Sequence, residues 1–207
     1  FKTIKKKIKN PLILIASQKL LKMQMKKLQI KKKIKLINKN KLNEYKLDNK
    51  SINLIDKNYN QNKAFAKISK KSSLYIYNSF KTAFEIINNG FTKKLINGPV
   101  SKKYFLKKNY LGITEYISKK YKIRQPAMLI FNKKLSVCPI TTHLPIKAVS
   151  KQINKKTIEE KIKLIDKFYR EKLGLKAKIG VLGLNPHCES ISKYNEDERI
   201  IKPVIKN

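Results

Sequence analysis

Pro11-Leu12-Ile13-Leu14-Ile15-Ala16-Ser17 is the stretch from which the fold is read. Its apolar run has the length of a strand buried on both faces. Ser17 is a good N-cap for a helix. From Gln18 to Leu28, residues Leu20, Leu21, Met23 and Leu28 recur as the inner face of that helix. Ile34 to Ile37 reads as a further short strand. Strand, helix and strand in this order make the repeating unit of an α/β protein.

Outward from that unit the alternation continues. Lys39 to Lys50 is polar and reads as a loop with little structure of its own, and Ser51 to Ile55 as an edge strand. Ala64, Phe65 and Ile68 recur at helical spacing between Gln61 and Ser69. A helix is expected from about Ser79 to Asn89, with Asn89-Gly90 as its left-handed C-terminal cap. Lys94 to Ile96 reads as a brief strand before the turn Asn97-Gly98-Pro99-Val100-Ser101-Lys102. Gly112 breaks the preceding helix and Thr114 is a fair cap for the next one. Ala127 to Phe131 and Leu135 to Ile140 look like a hairpin, so the sheet is expected to be mixed. Thr157-Ile158-Glu159-Glu160 has the form of a capping box with Thr157 as the cap. Ile158, Ile162, Ile165, Tyr169 and Leu173 keep the helical period, and Gly174 ends it. Lys178 to Leu184 reads as another buried strand, and Asn195 opens the last helix.

The 207 residues suit one substantial domain or two small ones, and the 41% apolar content can supply a core. The formal charge of +37 invites a nucleic-acid reading. Two features oppose it. Of the 50 basic residues only Arg124, Arg170 and Arg199 are arginine, the residue suited to bidentate phosphate and base contacts. The lysines also lie in every segment instead of on one stripe. The charge therefore reads as solvated surface that draws anionic ligands, with no nucleic-acid partner. Cys138 and Cys188 are the 2 cysteines and do not form a disulfide framework, so a reducing cytoplasm is expected. No apolar run approaches the length of a membrane span. Phe1-Lys2-Thr3 lacks an initiator Met, and Ile205-Lys206-Asn207 stops inside a helical pattern, so the chain is expected to be a fragment.

The 2 histidines stand in Thr141-Thr142-His143-Leu144-Pro145 and Asn185-Pro186-His187-Cys188-Glu189. Each comes just after a strand-like run, which would set it where open α/β sheets bind ligands. Imidazole suits Zn, Fe, Ni or Co. A single His in such a turn is more often a hydrogen-bonded turn residue. Two in equivalent positions make a half-built metal site, to be completed by carboxylates, another subunit or further chain. Cys188 is a softer candidate ligand, although adjacent residues leaving a strand tend to point apart.

Asn97-Gly98-Pro99-Val100-Ser101-Lys102, Gly112-Ile113-Thr114-Glu115, Thr141-Thr142-His143-Leu144-Pro145 and Gly183-Leu184-Asn185-Pro186-His187 occur in an order and spacing that resembles the 4-hydroxythreonine-4-phosphate dehydrogenase family. The resemblance runs from about Pro11 to the C-terminus, and Glu196-Asp197-Glu198 before Ile200-Ile201 also fits it. It implies a three-layer α/β/α fold like that of the isocitrate and isopropylmalate dehydrogenases. The absence of G-x-G-x-x-G agrees. Residues from 1 to about 90 would be part of the first α/β domain. Those from about 91 to 207 would form a central α/β domain with the metal-site histidines and the dimer interface.

The resemblance further implies NAD-dependent oxidation and decarboxylation of 4-phosphohydroxy-L-threonine to 3-amino-2-oxopropyl phosphate, in pyridoxal 5′-phosphate synthesis. The cofactors would be NAD and a divalent metal (Zn, Mg or Co), and the protein a cytoplasmic homodimer with its active site at the interface. His143 and His187 match metal ligands, and Thr114 matches a substrate contact. Ile113 stands at a substrate-binding position where the family usually has His, which removes a donor. The third metal His and most cofactor contacts would lie beyond Asn207. Two rivals are a related dehydrogenase for another phosphorylated hydroxy acid and a non-catalytic, Lys-rich polyanion-binding domain.

Overall fold

The computed structural model describes residues 8–107, 109–124, 126–189, 191 and 194–206. Most of the basic stretch before Pro11 lies outside them. The chain divides into two compact units, Phe1–Lys108 and Asn109–Asn207. No helix among the described residues is long and apolar enough to cross a membrane.

In the first unit, β1 (Ile13–Ala16), β2 (Ile34–Leu36) and β3 (Ile52–Asp56) form a parallel sheet in the order β1-β3-β2. Helix α1 (Gln18–Lys27) joins β1 to β2. Ser17 starts it as expected: its hydroxyl accepts from the Leu20 N–H at 3.3 Å. A cap of this kind contributes about 1 kcal/mol. Leu21 and Met25 of α1 cover one face of the sheet through Ile52 and Leu54. On the opposite face Ile55 packs with Ile37, Leu42 and Ile86, and Ile13 and Ile15 lie against them. Ile86 belongs to α2 (Ser73–Asn88), so the sheet is covered by helices on both sides. This is the α/β layering read from the sequence.

Several local expectations change. The strand near Ser51 is the centre of the sheet, not its edge. Asn53 is accommodated there. Although polar and 1% exposed, it gives its side-chain amide to the Leu12 and Asp48 carbonyls at 3.0 and 2.7 Å. Lys39–Glu44 is a 3-10 segment, not featureless loop, because Leu42 is buried in the core. No helix forms from 61 to 69, where only 62–65 bend, and Phe65 and Ile68 are exposed. α2 begins six residues earlier than its apolar face suggests, at Ser73 rather than Ser79. Lys94 to Ile96 joins no strand ladder among the described residues. The Ser101 hydroxyl accepts from the Tyr104 N–H at 3.3 Å and starts a single π-helical turn, Lys102–Leu106.

The second unit is built on α3 (Ile113–Lys120), α4 (Lys155–Phe168) and α5 (Lys202–Lys206). Its core joins Ile153, Ile158, Ile201 and Val204. The N-cap of α4 is Asn154, whose side-chain oxygen accepts from the Thr157 N–H at 2.9 Å. Thr157 itself is buried inside the helix, so the cap stands three residues before the one that the Thr157–Glu160 capping box would use. The α4 axis continues as a π-helical turn, Tyr169–Leu173, and ends at Gly174, whose φ of 67° is the left-handed stop expected of it. The expected hairpin is reduced to one antiparallel bridge, Ile130 to Val137. Lys178 to Leu184 has no ladder partner among the described residues. A strand needs a neighbour for its N–H and C=O groups; in these runs Ile140, Val181 and Leu184 pack on the core, while Ile130, Leu135, Val137 and Leu182 are exposed.

Candidate functional site

Both histidine turns of the second unit grow from one piece of core. Ile140 and Leu184 pack on the same cluster, Ile153, Ile158, Ile201 and Val204. His143 and His187 each stand three residues further along the chain. Three residues reach about 10 Å when extended. Both histidines are exposed, and both have a left-handed backbone, with φ of 58° and 57°. His tolerates this region better than most residues, but it is uncommon outside glycine. The turns leave packed core rather than strand ends, which corrects the expected route to them.

The first turn is tied to the start of α3. Gly112 is the N-cap, in an extended conformation that needs no special residue. Thr114, the expected cap, lies within the first turn, where its carbonyl accepts from the Ser118 hydroxyl at 2.7 Å. Glu115, also in this first turn, curls back over Gly112. Its Oε1 accepts from the Thr142 hydroxyl at 3.3 Å. Its Oε2 is buried without a hydrogen-bond partner. A carboxylate here is favoured by the positive end of the helix dipole. The His143 ring reaches the same spot: a Cβ placed on Gly112 would lie 3.6 Å from Nε2 and 2.8 Å from Glu115 Oε2. Ile113 and Thr114 are both half-buried beside this cluster on α3.

The second turn is tied to Asp197, which is 1% exposed. Asp197 Oδ1 accepts from the Leu184 N–H at 2.8 Å, and Oδ2 accepts from the Asn185 N–H at 3.0 Å and the Asn185 amide at 2.9 Å. Burial is the largest influence on this carboxyl and opposes ionisation. The Leu184, Asn185 and Lys202 interactions together outweigh it and hold the group below the ordinary range. Asn195 starts the helical segment as expected, its side-chain oxygen accepting from the Asp197 N–H at 2.8 Å. Cys188 is exposed as a free thiol, and its sulfur lies against Gly183.

A divalent cation can be tested against these donors. Among the described residues no three His, Cys, Asp or Glu side chains gather into a complete cage. Around His143, however, an imidazole lies beside a buried carboxylate oxygen that lacks a donor. That donor chemistry suits a cation. Sequence reasoning singled out the histidines but missed Glu115 and Asp197 as their tethers. The signal was available: each acid stands in the first turn of a helical segment, where carboxylates are placed.

The chain as a whole is similar to known proteins. The chain is 36% identical over 159 residues to the 4-hydroxythreonine-4-phosphate dehydrogenase of Sulfurihydrogenibium sp., a match that covers 75% of this chain and 48% of that protein. The Aquifex aeolicus enzyme of the same name is 35% identical over 107 residues, 50% of this chain and 33% of that protein. The chain thus spans about half the length of the curated relatives it matches. Among solved structures, the 4-hydroxythreonine-4-phosphate dehydrogenase of Klebsiella pneumoniae shares the fold, with a TM-score of 0.76 at 21% identity over 94% of this chain and 61% of that one. That of Burkholderia phymatum gives 0.75 at 23% identity, over 94% and 60%. The family model described as pyridoxal phosphate biosynthetic protein PdxA matches residues 7–207. Nearly the whole chain is covered by that match, and the chain belongs to the PdxA family.

Proposed function

We propose that this chain belongs to an enzyme that oxidises and decarboxylates 4-phosphohydroxy-L-threonine to 3-amino-2-oxopropyl phosphate, on the way to pyridoxal 5′-phosphate. The observation that carries the reading is the common core under Ile140 and Leu184, from which the turns bearing His143 and His187 both emerge. When bound, a divalent cation (Zn, Mg or Co) would supply Lewis-acid polarisation of the substrate oxygen, and NAD would supply the hydride acceptor. His143 and His187 would hold the cation through neutral imidazole nitrogens, so their protonation opposes binding. Glu115 and Thr142 brace the turn that carries His143. Thr114 offers a hydroxyl near the start of α3 for substrate recognition. The secondary alcohol would lose its C–H hydride to NAD and its hydroxyl proton to solvent, giving a ketone β to the carboxylate; CO2 would then leave, and a solvent proton would take its place on the α-carbon. We further propose a cytoplasmic homodimer with the active site at its interface.

Ile113 favours attention to a second substrate. It occupies the first residue of α3 and offers no donor, so another phosphorylated hydroxy acid is the rival reading. The deciding experiment measures bound metal and NADH formation in the full-length protein across a panel of such acids. 4-Phosphohydroxy-L-threonine should be preferred, and His143→Ala and His187→Ala should each lose both metal and turnover while remaining folded. Retention of both properties in folded His143→Ala would refute the site.

A further inference from the structure

We propose that Asp197 is a positioning residue for His187. Its buried carboxylate fixes the backbone of Leu184 and Asn185, and so fixes the turn that presents the imidazole. The inference rests on the reading of His187 as a metal ligand.

The backbone of this turn is unfavourable in isolation. His187 has φ 57° and ψ 15°, and the next residue, Cys188, has φ 57°. Non-glycine residues in such conformations persist when their surroundings over-determine them. Asp197 supplies that determination from one side. It closes three hydrogen bonds to Leu184 and Asn185, the residues that lead into the turn. The turn then closes on itself, with the Cys188 N–H donating to the Asn185 carbonyl at 3.0 Å. Gly183 completes the clamp. A Cβ there would collide with Cys188 Sγ and lie 3.0 Å from Asp197 Oδ1, so the sulfur and the carboxylate close on the glycine together. Leu184 is meanwhile held by the core. His187 is left exposed on a backbone with little freedom. Fixing a ligand before it meets its ion is the role played by supporting hydrogen bonds around metal sites.

The carboxylate is needed for this, not merely a polar side chain of the same shape. All three donors are N–H groups, and an ionised carboxylate accepts from all of them. Asparagine at 197 would turn an NH2 group toward at least one N–H and lose that bond.

The test compares wild type, Asp197→Asn and Asn185→Ala in the full chain. Co2+ alone is titrated and followed by its visible absorption. Hydrogen exchange of residues 183–189 is measured without metal. In Asp197→Asn the Co2+ affinity should fall about ten- to a hundredfold. Exchange should quicken in 183–189 and stay unchanged elsewhere. Asn185→Ala keeps both backbone bonds and should show a smaller loss. Unaltered Co2+ affinity in folded Asp197→Asn overturns the proposal, as does exchange that quickens throughout the unit, which marks a purely structural role. If Asp197→Asn does not fold, Asn185→Ala decides: reduced affinity upholds the proposal and unchanged affinity overturns it. If wild type takes up no Co2+, the metal reading of His187 fails, and exchange alone judges Asp197. Quickening confined to 183–189 then upholds its hold on the turn, and its absence overturns it.

Discussion

Thr142 donates its hydroxyl to Glu115 Oε1 across 3.3 Å, which ties the turn carrying His143 to the first turn of α3. The other carboxylate oxygen of Glu115 is buried without a hydrogen-bond partner. An unsatisfied buried acceptor costs about 1–3 kcal/mol. A group kept at that cost beside an imidazole is a candidate for function rather than for stability.

Glu115→Gln separates the two roles. Glutamine retains an acceptor for Thr142 and removes the charge. Unfolding free energy should stay within about 1 kcal/mol of wild type, since no core contact changes. Co2+ affinity and NADH formation should fall about tenfold, the lower end of the effect of supporting groups at metal sites. Calorimetric titration with Co2+ together with urea unfolding provides the check. Equal affinity in the two proteins would remove Glu115 from the site.

Gly112→Ala should reproduce that loss by another route. The glycine φ is −162°, so alanine brings no backbone strain. The new Cβ meets Glu115 Oε2 at 2.8 Å, the far end of a flexible side chain that can swing aside. Folding should therefore lose less than about 1 kcal/mol. The displaced carboxylate would release Thr142 and so loosen the turn that carries His143. Because both substitutions act through one side chain, the double variant Gly112→Ala, Glu115→Gln should be little worse than either alone. Additive losses in turnover would contradict this.

Asp197 should give the second unit a distinct acid sensitivity. Its folded carboxyl lies below its ordinary value of 3.8. Between those two values the unfolded chain binds more protons, so stability rises with pH there. The contribution is complete above the unfolded value and drains away as pH falls through the folded one. Urea unfolding at a series of pH values from neutral downward should show wild type losing more stability than Asp197→Asn in that acid window. Parallel curves would mean that the carboxylate gains nothing from its three donors.

The readable part of this protein was the part governed by local chemistry. The strand within Pro11 to Ala16, the Ser17 cap and the Gly174 stop all arise from local preferences, although β1 is an edge strand with Leu14 exposed and not the strand buried on both faces that its apolar run suggests. The α/β class derives from them. What misled was partnership. The Lys178 to Leu184 run is as apolar as a strand, but hydrophobicity cannot say whether a ladder neighbour exists. Thr157 had the right box pattern, yet Asn154 took the cap and Thr157 was drawn into the core. The site shows the same division. His143 and His187 stood out because histidine is rare here. Glu115 and Asp197 did not, because their importance depends on which distant N–H or hydroxyl they accept from.

The central position of β3 can be tested with a pair of leucines. Leu14 of β1 and Leu54 of β3 are register partners in the parallel ladder, so their side chains share one face of the sheet. Leu54 is fully buried under α1, whereas Leu14 is 38% exposed at the sheet edge. Truncating a buried leucine costs about 2–5 kcal/mol, since transfer and cavity terms add. Leu54→Ala should fall in that range. Leu14→Ala should cost less than about 1.5 kcal/mol, because water already reaches much of the side chain. The measurement is the urea midpoint of each variant. An edge position for β3 would make the two losses alike, whereas a central one makes Leu54 the more costly by at least twofold.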